Sequence, residues 1–186
     1  MTYSEFTQIE SAPNGLNGKS NAAQGILDLL VDGLKDIYWA EKELIIAFPK
    51  MIKNSTSEEL AEALKHHLEE KRKQVIRLDK VFKYLGEKPD TRKYEAITEL
   101  IIEAEDIMVE TEPGVVRDAG IISVVQKVAH YEMATYRTLA SFARILGEDK
   151  AADLLEETLG EEKAADQKLS EISDIIIFDA LDEDQD

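Results

Sequence analysis

The sequence predicts an all-α protein built from four long helices and one shorter helix. Apolar residues recur at the helical spacing of three and four positions in five segments, and no segment alternates with period two over a length that would suggest a sheet. The chain has 186 residues, of which 44% are hydrophobic and 33% are charged, and it contains only four prolines. This composition is typical of one compact, mostly helical soluble domain.

The two ends of the chain differ in composition from the middle. Residues 1–24 are rich in Gly, Asn and Ser and show no periodicity, which predicts a disordered leader. Residues 178–186 are strongly acidic and predict a solvated tail. A single helical domain is therefore predicted over residues 25–177.

Start and stop signals divide this domain into helices. Long helices are predicted over about 25–53, 55–86, 116–146 and 149–176, and a shorter one over about 91–110. A capping box from Ser55 to Glu58 begins the second helix, and Gly86 and Gly147 end the second and third. Pro49 is expected to kink or shorten the first helix. Helices of this length match a four-helix bundle, and the short helix lies where a ferritin-like bundle has its long crossover, between helices two and three.

The charge and the apolar runs of the chain exclude several classes of partner. A net charge of -17 argues against nucleic acid, since proteins that bind phosphate backbones concentrate Lys and Arg. The chain has no cysteine, which excludes disulfides and thiolate metal sites. Its apolar runs are too short to span a bilayer, and its N-terminus lacks the features of a secretory signal. We therefore predict a cytoplasmic protein that binds neither nucleic acid nor membrane.

Each long helix carries one glutamate on or beside its apolar stripe. These residues are Glu41, Glu70, Glu132 and Glu162. The sequence "EEK" occurs at 69–71 and again at 161–163, and a polar side chain follows each second glutamate by four residues, Gln74 and Asp166 respectively. Helix pairs that supply glutamates and polar partners in this way are the arrangement of ferritin-like di-metal carboxylate proteins.

Buried carboxylates need a compensating positive charge, because each uncompensated ion costs several kcal/mol. Two divalent cations would supply it, and oxygen-rich ligands favour iron or manganese. The competing interpretation is a set of internal salt bridges from Lys71 beside Glu70 and from Lys163 beside Glu162. His67 is a second-choice ligand or outer partner, although a solvated helix histidine is the simpler interpretation. The predicted metal ligands are Glu41, Glu70, Glu132, Glu162, Asp166, Gln74 and His67.

Four stretches of the sequence carry a resemblance to a known family. They are "LVDGLKDIYWAEKEL", "HHLEEKRKQVIRLDKVF", "KVAHYEMATYRTL" and "LLEETLGEEKAADQKLSEI". Over about residues 27–173 the chain resembles the YciF/YciE family of ferritin-like bacterial stress proteins. Members are helical bundles that tend to dimerise, so the resemblance implies a homodimer in which the four glutamates are the core carboxylates.

The chain also departs from the family pattern at two positions. Members often have a histidine in place of Gln74, and they commonly read "EHYE" where this sequence has "AHYE" at 129–132. Two hypotheses follow. In the first, two iron or manganese ions in a di-metal oxidoreductase act on peroxide or dioxygen. In the second, the metal site is incomplete or lost, and the protein is a non-enzymatic structural or interaction bundle.

Overall fold

The computed structural model describes residues 25–183, with side chains as far as Ile176, and consists of five helices. α1 covers Ile26–Asn54, α2 Glu58–Tyr84, α3 Glu95–Glu110, α4 Val115–Ile145 and α5 Asp149–Glu183. No strand occurs within residues 25–183, so the predicted all-α class is confirmed for this part of the chain. None of these helices combines the length and the apolar character that crossing a membrane requires.

Local signals place most helix ends close to their predicted positions. At the start of α2 the Ser57 hydroxyl accepts a hydrogen bond from the Leu60 amide, so the cap is Ser57 and not the predicted Ser55. Gly86 and Gly147 follow α2 and α4 with φ values of 71° and 79°, a left-handed conformation that glycine adopts without strain. The two predicted glycine stops therefore end the helices.

One helix end agrees with its prediction and one departs from it. α1 continues through Pro49 to Asn54, close to the predicted end at residue 53, and Phe48 and Met51 on either side of Pro49 are buried in the core. α5 continues to Glu183, beyond the predicted end at residue 176 and into the segment predicted to be a solvated tail. The predicted leader, residues 1–24, and residues 184–186 lie outside the described residues.

The four long helices contact one another in the cyclic order α1, α2, α5, α4. Each helix turns an apolar stripe inward, and Leu34, Leu64, Val125 and Leu155 are representative core residues from the four helices. The short helix α3 packs against α1 and α4. The middle of each long helix therefore lies near the centre of the molecule.

A buried aspartate ties the α1–α2 connection to the start of α4. The Asp118 carboxylate accepts hydrogen bonds from the Thr56 amide at 2.8 Å, the Thr56 hydroxyl at 2.6 Å and the Ser57 amide at 2.6 Å. The side chain is 1% exposed, so these groups have little access to water as a substitute partner. Asp118 therefore joins the connection between α1 and α2 to the first turn of α4.

We expect Asp118→Ala to lower the free energy of unfolding by about 3 kcal/mol, because two amides and a hydroxyl would lose their acceptor. Asp118→Asn keeps an acceptor oxygen and should lose less. Urea unfolding followed by circular dichroism measures both, with the exposed Asp106 of α3, changed to Ala, as the control. Equal stability of Asp118→Ala and the control would show that this contact contributes nothing.

Candidate functional site

A buried lysine lies at the centre of the four long helices, surrounded by three glutamates. Lys71 Nζ, on α2, lies 2.5 Å from Glu132 Oε2 on α4, 2.8 Å from Glu162 Oε1 on α5 and 3.4 Å from Glu41 Oε2 on α1. All four side chains are 0% exposed. We call Glu41, His67, Lys71, Glu132 and Glu162 the core cluster.

The helical repeat brings these charged side chains into an apolar interior. Glu41 follows the buried Ile37 by one turn, Glu132 follows Val128, and Glu162 follows Leu159. On α2 the inward positions are Leu64, His67, Lys71, Gln74 and Leu78, spaced by three and four residues. Each charged residue therefore occupies a position where a core apolar residue is normally found.

Polar neighbours orient the carboxylates of the cluster. The Tyr136 hydroxyl donates to Glu41 Oε1 at 2.5 Å. The Gln74 amide donates to Glu162 Oε1 at 2.8 Å, and its oxygen accepts from Lys71 Nζ at 3.2 Å. His67 Nε2 lies 3.1 Å from Glu162 Oε2, and Phe48 packs edge-on against the imidazole ring. Glu162 is thus the most heavily hydrogen-bonded of the three glutamates.

Three buried atoms of the cluster have no hydrogen-bond partner among the described residues. They are Glu41 Oε2, Glu132 Oε1 and His67 Nδ1. Burying a carboxylate oxygen without a donor is unfavourable, so each such oxygen favours a proton or a cation beside it. Lys71 Nζ lies 3.4 Å from Glu41 Oε2, so the acceptor capacity that remains is chiefly that of Glu132 Oε1.

The electrostatics of the three glutamates differ. Burial, together with repulsion from Glu162, raises the pKa of Glu132 well above its usual range, and Lys71 only partly opposes this. Burial also raises the pKa of Glu41, again against the attraction of Lys71. Burial alone would raise the pKa of Glu162 as well, but the charges of Lys71 and His67 outweigh it and lower that pKa. Glu162 is therefore the carboxylate most firmly held in its ionised form.

Lys71 is held as an ammonium. Burial alone would lower its pKa, but the attraction of Glu132, Glu162 and Glu41 outweighs burial and raises it. A permanently charged Lys71 does not serve as a nucleophile or a general base. Its chemistry is that of a fixed cation.

Two of the predicted ligands lie away from the cluster. Glu70 is half-buried and lies beside His66, with His66 Nδ1 3.6 Å from Glu70 Oε2. Asp166 pairs with His130 at 3.2 Å, and Gln126 donates to it. The expected inward position of Glu70 is therefore wrong, because a rotation of about 100° per residue places Lys71 at the centre in its stead.

The other predictions for this region have mixed outcomes. Glu41, Glu132 and Glu162 meet as expected, and Gln74 is buried beside Glu162. His67 is 2% exposed, so the solvated interpretation of this histidine is wrong. Lys163 is exposed, whereas Lys71 makes the internal salt bridges, with glutamates of three other helices and not with its neighbour Glu70. The spacing of three and four residues from Leu64 to Leu78 includes Lys71, and it is the feature of the sequence from which the inward position of Lys71 could have been predicted.

Three residues of the cluster form a set that suits a metal ion. His67, Glu132 and Glu162 each offer a ligand atom, and these atoms lie within 4.8 Å of one another. Imidazole with two carboxylates is a ligand set that iron and manganese accept. The unpartnered Glu132 Oε1 also fits a cation, so the residues present are compatible with one ion.

The fold and the cluster define an all-helical protein with a buried carboxylate centre. The profile of a family described as a domain of unknown function, DUF892, matches residues 26–181. The chain is also 44% identical over 149 residues to protein YciF of Escherichia coli strain K12, which is 80% of this chain and 90% of that protein. This chain belongs to the DUF892 family, and the predicted kinship with YciF is confirmed.

Two solved structures have the same fold. The crystal structure of the E. coli stress protein YciF aligns with a TM-score of 0.81 at 42% identity, over 83% of this chain and 98% of that chain. YcfI of Rhodopseudomonas palustris, described as a candidate structural protein, aligns with a TM-score of 0.79 at 46% identity, over 81% of this chain and 96% of that one. The five-helix arrangement is therefore that of known relatives.

Proposed function

We propose that this chain is a stress-response protein with a ferritin-like four-helix bundle whose core binds one divalent ion, iron or manganese. The observation that carries the proposal is the unequal charge of the core cluster. Three carboxylates surround one ammonium, so these four groups carry two excess negative charges when all are ionised. One divalent cation balances these four groups.

The ferritin-like architecture is supported by the contacts of the helices. α1, α2, α5 and α4 contact one another in a closed ring, and α3 lies in the connection between α2 and α4. A ferritin-like bundle has a long crossover at this place in the chain and builds its metal site from facing helices. The stress-response role is supported by the likeness to the E. coli stress protein.

A single ion fits the cluster better than the two ions predicted from the sequence. Two divalent ions would leave the cluster with a net charge of two positive, in an interior that penalises uncompensated charge. Glu70 and Asp166, which were expected to complete a second set of ligands, pair elsewhere. Lys71 also holds one oxygen each of Glu132 and Glu162.

The residues of this chain would hold the ion through His67, Glu132 and Glu162. Bound iron or manganese supplies Lewis acidity and a change of oxidation state, the chemistry needed to act on peroxide or dioxygen. Lys71 holds its proton and fixes Glu132 and Glu162, Gln74 orients Glu162, and Tyr136 orients Glu41. The apolar surroundings exclude water from these groups.

The second candidate function is a non-enzymatic structural or interaction bundle. The contacts of Lys71 with all three glutamates favour it, because an ammonium together with protons on Glu132 and Glu41 can neutralise the cluster without metal. A homodimer in the cytoplasm is compatible with either candidate and is proposed with both.

Ion stoichiometry separates the two candidates. We expect chain purified without chelator and dialysed against Mn²⁺ to retain one Mn²⁺ per chain, measured by elemental analysis. Ions bound at the acidic surface are weakly held and should be lost in 0.5 M salt, at about a 4 Å screening length, whereas a buried ion should remain. Retention of two ions would support the two-ion site predicted from the sequence, and retention of none would support the structural bundle.

A further inference from the structure

A cavity of about 250 Å³ opens between α2 and α5 beside the core cluster. Three alanines, Ala63, Ala164 and Ala165, help to line it, and their short side chains leave space that larger residues would fill. His66, His67, Glu70 and Lys168 supply its polar groups. The volume is several times the share of about 30 Å³ that one water takes in the liquid, so a partly hydrated ion fits within it.

His67 belongs both to this cavity and to the core cluster. The imidazole lines the cavity, and its Nε2 lies 3.1 Å from Glu162 Oε2 inside the cluster. The residue is 2% exposed, and its Nδ1 has no hydrogen-bond partner among the described residues. One buried side chain thus connects the space outside the core with the carboxylates inside it.

On the other side of the cluster the boundary between α2 and α5 is basic, and Lys73, Arg77 and Lys80 help to line a second cavity of about 230 Å³ there. Arg77 donates to Thr158 at 2.7 Å, to Glu157 at 2.6 Å and to Glu161 at 2.7 and 2.8 Å, which joins the two helices there. On the side of His67, Lys168 of α5 lines the cavity, and its ammonium pairs with Glu59 at 2.5 Å. Of these two cavities, the one lined by His67 is therefore in direct contact with the core cluster.

Two further side chains of the cavity form a pair suited to a divalent ion. His66 and Glu70 are one turn apart on α2, and His66 Nδ1 lies 3.6 Å from Glu70 Oε2. The His66 side chain is 75% exposed and the Glu70 side chain is 15% exposed, so the pair extends from solvent towards the interior. Imidazole and carboxylate together bind first-row transition metals.

We infer that this cavity is the route by which a divalent transition-metal ion reaches the core, with His66 and Glu70 as the capturing pair and His67 as the residue that passes the ion to Glu162 and Glu132. This inference rests on the proposed function, because it requires an ion in the core. It also gives Glu70 a role outside the core, at the cavity where the structure places it.

The test is the rate at which the full chain takes up Mn²⁺, followed by the loss of the free Mn²⁺ electron paramagnetic resonance signal after rapid mixing. Ala165→Leu fills the cavity, and Ala134→Leu, at an exposed position of α4, is the matched control. His66→Ala and Glu70→Gln remove the capturing pair without changing the cluster. We expect uptake to slow by about tenfold or more in all three cavity variants, with one ion bound at equilibrium as in the unchanged chain and in the control.

Unchanged uptake rates in His66→Ala and Glu70→Gln would overturn the route, and these exposed or half-buried positions keep the test valid if Ala165→Leu folds poorly. Loss of equilibrium binding in Glu70→Gln together with retention in Glu132→Gln would also overturn it, because the ion would then rest in the cavity. A wild-type chain that binds no Mn²⁺ would overturn the proposed function itself. Binding with normal stoichiometry and unaltered rates overturns only the route.

Discussion

Replacing Lys71 by Met should lower the free energy of unfolding at pH 7 by about 4 kcal/mol in ion-free protein. Met approximates the length of the lysine stem, so the change removes the ammonium and leaves most of the packing. The carboxylates of Glu41, Glu132 and Glu162 would then share a dry interior with no cation between them. Removing one partner from a buried charged group is among the most destabilising of single substitutions.

The loss should depend on pH in a defined direction. The pKa values of Glu41 and Glu132 already lie above 4.5, and removing Lys71 would raise them further. A carboxyl whose folded pKa is raised binds a proton more readily in the folded state, so stability falls as pH rises from about 4.5 through the folded pKa. The deficit of Lys71→Met against wild type should therefore be largest near neutral pH and should shrink towards pH 5.

Urea unfolding at pH 7 and pH 5 measures both the loss and its pH dependence. Lys73→Met, at an exposed position on the same helix, is the control and should change stability by no more than about 0.5 kcal/mol. If Lys71→Met is too unstable to purify, the double variant with Glu132→Gln can be measured instead. It removes one of the unpaired carboxylates and should recover part of the lost free energy of unfolding. A Lys71→Met protein as stable as the control at pH 7 would contradict the role of Lys71 as the internal cation.

Glu132→Gln should abolish stabilisation by metal while leaving the ion-free protein as stable as wild type or more so. In wild type, Mn²⁺ at 100 times its dissociation constant should add about 2.7 kcal/mol, because the ion binds only the folded state. The substitution removes a ligand of the proposed site, so this gain should vanish. In the ion-free protein, Gln keeps an oxygen for Lys71 and removes a carboxylate that repels Glu162 and Glu41.

Thermal melts in chelator and in excess Mn²⁺ measure the two effects separately. Ion-free wild type should lose stability as pH rises above 4.5 because the pKa of Glu132 is raised, and Glu132→Gln should show a flatter profile. Glu99→Gln, at an exposed position of α3, is the control and should keep the metal-dependent gain. A wild-type melt that ignores Mn²⁺ would favour the structural bundle over the metal site, and a less stable ion-free Glu132→Gln would show in addition that Glu132 is paired as a carboxylate.

The two substitutions test opposite sides of the same charge balance. Lys71→Met removes the single positive charge and should destabilise the ion-free protein, whereas Glu132→Gln removes one of the excess negative charges and should not. A cluster that served only as salt bridges would lose stability in both variants. Comparing the stabilities of the two variants therefore shows whether the interior carries excess negative charge or is already electrically neutral.

The helical pattern of the sequence was sufficient to predict the all-α class and the glycine stops, and it indicated the inward positions of Glu41, Glu132 and Glu162. These features depend on interactions between residues that are close in the chain. A side chain on the apolar stripe faces the core whatever packs opposite it, and glycine ends a helix through its own backbone freedom. The assignment of metal ligands stays a prediction.

Only the tertiary structure decided that a lysine of α2 is stable in the core. The spacing on α2 places Lys71 in line with Leu64 and Leu78, but it does not show whether a charged side chain at an inward position has a partner. A lysine is stable in the interior only where carboxylates from other helices surround it, and here Glu41, Glu132 and Glu162 arrive from α1, α4 and α5. That encounter depends on how four helices pack against one another, which the spacing within one helix does not specify.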